Sequence, residues 1–290
     1  MLNTKIKIWE TPNPGEEKGV IFVIHGMGEY HKRYDDFGKY ISKKGYKVAM
    51  IDHKGHGINI ESMDKLGFID DNFQSSLEEI KSAIEKVREE NQEIPLFILG
   101  HSMGSFMTQI LFEDGVKAQG IILSGSVRPF KISIKFAYTL ASFLLLFRNK
   151  RSYMFDKIVF GLNNIKFKGK SKFRWLTRDE KSIEEFEKDP LCGCVPYTSY
   201  YRGLFYMIGK TIDVGEKEKN IETPMYIFSG SDDPVGEYGV GTKKLYKFYK
   251  KLGYKDIELK IYPRGRHEML NEINRKEVYD NLLKWLIRRS

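Results

Sequence analysis

Apolar and polar positions along this chain fall into two patterns that take turns. Val20 to Ile24 is a short, unbroken apolar run, as expected of a strand buried on both faces. Similar runs recur at Tyr46 to Ile51, Leu96 to Leu99, Gln119 to Leu123, Met225 to Phe228 and Ile257 to Ile261. Lys5 to Trp9 alternates instead, like a strand with one wet face. Between these runs the period becomes helical. Tyr34 to Lys44 reads as a helix stopped by Gly45. Phe73 to Asn91 places Leu77, Ile80, Ile84 and Val87 on one face. Ser105 to Glu113 and Arg275 to Arg288 complete the helical set.

Strands alternating with helices predict an α/β fold, with right-handed crossovers and a mostly parallel central sheet covered by helices on both faces. Ligands of such sheets bind beyond the carboxyl ends of the strands. His25-Gly26, Asp52-His53, Ser102 and Ser124-Gly125 all fall at such ends. The alternation stops between Ser126 and Glu218, a stretch rich in aromatic residues and lysine. Residues 126–218 are therefore expected to form an inserted, mainly helical cap, either a lid over the site or an unrelated subdomain. The core would be residues 1–125 and 219–290.

The turn after Leu96 to Leu99 carries the chemistry. Gly100-His101-Ser102-Met103-Gly104 joins a strand to a helix, the context of a nucleophile elbow. Such a turn strains the serine backbone and lifts its hydroxyl out of the sheet. A serine hydroxyl needs a base, and the base needs an orienting group. An elbow places them downstream, carboxylate first and histidine second. Asp232 and Asp233 follow the strand at Met225, and Asp233 is favoured because Pro234-Val235 can turn the chain beneath it. His267 follows the strand at Ile257, whereas the other five histidines precede or abut Ser102. The oxyanion donors are expected to be the backbone N–H groups of Met103, next to the nucleophile, and Met27, in the loop after an early strand.

Other chemistries fail on single residues. Gly26-Met27-Gly28 has His31 where a dinucleotide loop needs its third glycine. Gly236 to Gly241 is followed by Thr242 and not the lysine of a phosphate loop. His267-Glu268 opens like a zinc-protease helix, but Asn271 replaces the second histidine. No metal or organic cofactor is expected, and the expected partner is a small-molecule acyl ester.

Composition narrows this picture in three ways. A chain of 290 residues with 41% apolar content can bury a large core. The formal charge of +9 is spread over helices that also carry acids, which reads as solvated surface and not as a nucleic-acid site. Met1 to Lys7 offers no apolar secretory core, and Cys192 and Cys194 are too close for an easy bridge. A reduced, cytoplasmic protein is the simplest expectation. One region departs from the even charge pattern. Phe136 to Phe147 is strongly apolar and is followed by Arg148, Lys150, Arg151, Lys157, Lys166, Lys168, Lys170, Lys172 and Arg174, against Asp156 alone. Twelve residues fall short of the about 20 needed to span a bilayer. The stretch is either a buried helix with a solvated flank or a helix lying on an anionic membrane surface.

Taken together, these segments resemble the α/β-hydrolase group of monoacylglycerol lipases and lysophospholipases, also grouped with serine aminopeptidase-like hydrolases. The resemblance covers nearly the whole chain. It is carried by His25 to Tyr34, Asp52 to Gly57, Gly100 to Gly104, Ser229 to Gly236 and Arg266 to Glu272. It implies Ser102, Asp233 and His267 as a catalytic triad, Met27 and Met103 as oxyanion donors, and a cap that receives an acyl chain. The pattern departs at Lys54 for arginine, Asn59 for serine and Ser105 for glycine. A small-ester esterase or aminopeptidase with the same triad, and a binding protein that keeps only the fold, are the competing expectations.

Overall fold

In the computed structural model, which describes residues 5–212 and 221–290, every run read above as a strand joins one sheet. The strands are β1 (Lys7–Trp9), β2 (Gly19–Ile24), β3 (Tyr46–Met50), β4 (Leu96–His101), β5 (Gly120–Ser124), β6 (Met225–Gly230) and β7 (Ile257–Tyr262). Their spatial order is β1-β3-β2-β4-β5-β6-β7. β1 pairs antiparallel with β3 and the remaining pairs are parallel. The α/β expectation therefore holds, with the wet-faced run at Lys5 to Trp9 forming the edge.

Successive residues of the central strands point to opposite faces, and the two faces are covered by different helices. Val20, Phe22 and Ile24 face α2 (Gln74–Glu89) and α3 (Met103–Glu113). Ile21 and Val23 face α1 (Asp35–Ser42) and the last helix, α9 (Arg275–Ile287). A glycine terminates the first of these turns: Gly45, at φ +92°, takes a backbone shape that side chains resist.

Four helices intervene between β5 and β6 among the described residues: α4 (Lys131–Leu145), α5 (Tyr153–Phe160), α6 (Glu180–Lys188) and α7 (Thr198–Lys210). The boundary expected at Glu218, like Met1 to Thr4, lies outside the described residues. α4 packs on α7, but Ala141 is its one buried residue. Phe136, Phe143, Leu146 and Phe147 are all more than half exposed, so the helix is not the buried element that one reading of Phe136 to Phe147 required. The basic run behind it is smaller than its sequence suggests. Arg151 donates to the carbonyls of Leu66 and Val195, and Arg174 pairs with Glu180.

One helix escaped the hydrophobic pattern. α8 (Val240–Lys251) follows glycines at 236 and 239, carries a third at 241, and buries Gly241, Thr242, Leu245 and Tyr249. Leu245, Phe248, Tyr249 and Leu252 recur at helical spacing between its lysines, but the glycine-rich start reads as a loop and masks them. Among the described residues, no helix is long and apolar enough to cross a membrane.

Candidate active site

β4 runs into α3 through Ser102, whose backbone is held at φ 49° and ψ −116°. That is a strained conformation for a residue with a side chain. The strain is enforced by close approach on both sides. A Cβ on Gly104 would collide with the carbonyls of Ile24 and His25, and one on Gly100 would strike Thr108 and Gly104. Ser105, which stands where the family has glycine, secures the turn instead of loosening it. Its hydroxyl donates to the Ser102 carbonyl at 2.6 Å, and its oxygen lies 2.8 Å from Ser126 Oγ, within reach of that hydroxyl.

The two partners arrive from the carboxyl ends of β6 and β7. His267 Nε2 lies 2.8 Å from Ser102 Oγ, and His267 Nδ1 lies 3.0 Å from Asp233 Oδ1. Asp233 accepts two further bonds, from the Ser229 hydroxyl at 2.6 Å and from the Val235 N–H at 2.9 Å. Burial works against a charged carboxyl there. The nearby His267, together with these hydrogen bonds, overrides it and holds the Asp233 pKa below its ordinary value. His267 is buried too, which favours the neutral ring. The charge and hydrogen bond of Asp233, with Glu268 and Glu29 further off, outweigh burial and raise its pKa. Asp232 is set aside, its carboxylate bonded to Ser231 Oγ at 3.2 Å.

Met103 is the first residue of α3, and Met27 sits in the loop after β2. Among the described residues, neither backbone N–H donates to a protein acceptor. This loop is held by Glu29, a residue that sequence reasoning passed over. Its Oε1 accepts from the Gly26 N–H at 2.7 Å and from the Tyr34 hydroxyl at 2.9 Å. Burial and the charge of Glu268 push the Glu29 carboxyl up to about 7, against the pull of Arg33. Arg33 in turn pairs with Glu268 and lies 5.0 Å over the Phe186 ring. No local motif marks this trio, because Glu268 comes from the far end of the chain.

The remaining histidines are structural. Burial holds His101 at a pKa of about 3 and His56 at about 4, so both are neutral at pH 7. His25 and His53 stack at 3.7 Å, and His25 Nε2 accepts from the His53 N–H at 3.0 Å. Asp52 accepts from the N–H groups of His31 and Ile58 and from the His31 ring, shaping the loop after β3. Asn59 donates to the Asp52 carbonyl at 2.6 Å, and Lys54 lies 3.8 Å from Asp70. Both departures from the family pattern are thus absorbed within that loop.

A cavity of about 280 Å³ opens over Ser102 and His267. Its apolar wall is Phe160, Phe173, Trp175, Leu176 and Phe186, all from the insertion between β5 and β6. Glu29 and Glu268 line it as well. Cys194 also lines it, and both cysteines are free thiols.

Comparison with known proteins agrees with this architecture. A family profile described as "Serine aminopeptidase, S33" matches residues 15–274. The chain is 26% identical to Phospholipase YtpA of Bacillus subtilis, over 93% of this chain and 95% of that protein. It is also 26% identical to the monoglyceride lipase of Rattus norvegicus, over 93% of this chain and 81% of the relative. Among solved structures, a thermostable carboxyl esterase from Bacillus coagulans superposes with a TM-score of 0.89 at 23% identity, covering 99% of this chain and 95% of the other. With a profile match over most of its length and a seven-stranded sheet of this order, the chain belongs to the serine aminopeptidase S33 family of α/β-hydrolases.

Proposed function

We propose that this carboxylic ester hydrolase cleaves lipid-like acyl esters, a monoacylglycerol or a lysophospholipid, through Ser102, His267 and Asp233. The observation that carries this reading is the placement of Ser102 Oγ, 2.8 Å from His267 Nε2, at the floor of a cavity with an aromatic wall. His267 Nδ1–H donates to Asp233, which leaves the Nε2 lone pair facing the serine proton. As Ser102 Oγ attacks the ester carbonyl, Nε2 takes its proton. The N–H groups of Met27 and Met103 receive the oxyanion. The intermediate collapses, and the leaving alcohol takes the proton from Nε2. A water then attacks the acyl-enzyme, giving its proton to Nε2. Collapse frees the carboxylic acid and returns a proton to Ser102.

The insertion between β5 and β6 acts as the cap in this reading, with Phe160, Phe173 and Trp175 receiving the acyl chain. Relatives named phospholipase and monoglyceride lipase support the substrate class. A second reading has a specific basis: Glu29 and Glu268, two carboxyl groups lining the cavity, offer acceptors for the α-ammonium of an aminoacyl substrate. The two are separated by kcat/KM across p-nitrophenyl esters from acetate to palmitate, beside aminoacyl p-nitroanilides. The lipid reading expects a rise from acetate to a medium-chain optimum. Each buried methylene contributes about 0.8 kcal/mol, so two more carbons are expected to raise kcat/KM by roughly tenfold while the cavity has room. A preference for acetate, or turnover of the anilides alone, contradicts it.

The exposed apolar face of α4, with the lysines that follow, is proposed to rest on an anionic membrane. Co-sedimentation with phosphatidylglycerol-containing vesicles is expected for the wild type. Replacing Phe136, Phe143 and Phe147 by serine should abolish it. Undiminished binding by that variant contradicts the role of this face.

A further inference from the structure

The cap segment from Trp175 to Arg178 runs beside the loop that carries His267, and the two are joined along their length. The His267 N–H donates to the Trp175 carbonyl at 3.3 Å, and the Glu268 N–H to the Leu176 carbonyl at 2.7 Å. Bonds also run the other way, from the Thr177 hydroxyl to the Asn271 carbonyl at 3.0 Å. The Arg266 guanidinium donates to the carbonyls of Arg174 and Thr177. The Trp175 ring lies 5.1 Å from the His267 ring and stacks on Phe160 behind it.

Glu272 ties this seam together. It is fully buried, and each of its oxygens has two donors. Oε1 accepts from the Arg178 N–H at 3.2 Å and the Arg266 N–H at 2.9 Å. Oε2 accepts from Arg178 Nε at 3.0 Å and the Ile273 N–H at 2.8 Å. One carboxylate thereby holds both flanks of the histidine loop and the cap. A buried charge is tolerated when it is paired and hydrogen-bonded in this way, and losing one partner leaves it exposed to the full cost of burial.

We infer that Arg178 and Glu272 are positioning residues: they hang the cap on the histidine loop, so that the cap sets where His267 stands and even the shortest ester depends on it. The inference rests on His267 acting as the general base. A cap that merely covers the acyl chain behaves differently. Loosening such a cap weakens the binding of long esters and leaves the hydrolysis of acetate unchanged, because acetate does not reach it. With the histidine loop hung on the cap, loosening it displaces the base and lowers kcat for every chain length alike.

The test is Arg178→Ala in the full chain, with active sites counted by a fluorophosphonate probe and kcat and KM measured on p-nitrophenyl acetate and decanoate. The expected result is the same fall in kcat on both esters, on the order of 10- to 100-fold, with KM for acetate unchanged. Thr177→Val is the second variant. It keeps the side-chain shape and loses the hydroxyl that donates to the Asn271 carbonyl and accepts from the Asp179 N–H, and it is expected to give a smaller fall of the same kind if Arg178→Ala does not fold. A wild-type kcat on acetate, with only the KM for decanoate raised, overturns the inference while leaving the triad intact. A wild type that does not label with the probe overturns the triad reading and the inference with it.

Discussion

Ser102→Ala is expected to lower kcat on a short p-nitrophenyl ester on the order of 10⁶-fold, the size of loss measured when a serine protease loses its nucleophile. The reasoning is local. Ser102 is lifted out of the sheet by a strained backbone, φ 49°, and its Oγ is 2.8 Å from His267 Nε2. Alanine takes away the attacking atom and leaves the rest of the site in place. A residue of activity should persist, since the oxyanion donors proposed above, Met27 and Met103 N–H, and the binding cavity are left in place. The fold should also persist, because alanine needs the same backbone shape and the one bond lost is that between Ser102 Oγ and His267 Nε2. Unchanged turnover by a folded Ser102→Ala protein would place the chemistry elsewhere.

Asp233→Asn carries the next largest expected effect, a fall in kcat on the order of 10⁴-fold, as an amide at this position favours the wrong imidazole tautomer. Asp233 Oδ1 accepts the Nδ1 proton at 3.0 Å, and this bond leaves the Nε2 lone pair turned toward Ser102. An amide NH₂ in its place donates to Nδ1 and shifts the ring proton to Nε2, where it blocks the base. The variant also has a pH signature. In the wild type, burial alone would lower the His267 pKa, and the charge of Asp233 is the largest of the effects that raise it instead. Activity is lost as pH falls through that pKa, because a protonated ring cannot take the serine proton. Removing the charge leaves burial dominant, so the acid limb of kcat/KM is expected to move to lower pH. A limb that stays in place or moves upward contradicts the pairing. Profiles of residual activity between pH 4 and 9 would show it.

Much of this site was legible in the sequence because the fold makes it so. Strands buried on both faces write themselves as short apolar runs, and each run from Val20 to Ile261 became a strand of one sheet. A sheet of parallel strands brings its carboxyl ends together, so Ser102, Asp233 and His267 meet although they are far apart in the chain. What was not legible has identifiable physical causes. α8 begins among glycines that read as a loop, which masks the helical spacing of Leu245, Phe248, Tyr249 and Leu252. Arg178 and Glu272 are 94 residues apart and meet only after the insertion has folded back on the histidine loop. The trio of Glu29, Arg33 and Glu268 likewise joins the first turn to the last loop. Neither cluster has a spacing that a local motif could reveal. α4 was ambiguous for a different reason. An apolar stretch such as Phe136 to Phe147 reads the same whether it is buried or not, and only the structure shows that its aromatic rings are exposed.

The most direct measurement is fluorophosphonate labelling, read by intact mass and by the modified peptide. Wild-type protein is expected to gain one phosphonyl group, on Ser102, while Ser102→Ala gains none. A folded wild type that stays unlabelled, or a label on any other serine, contradicts the assignment of Ser102 as the nucleophile.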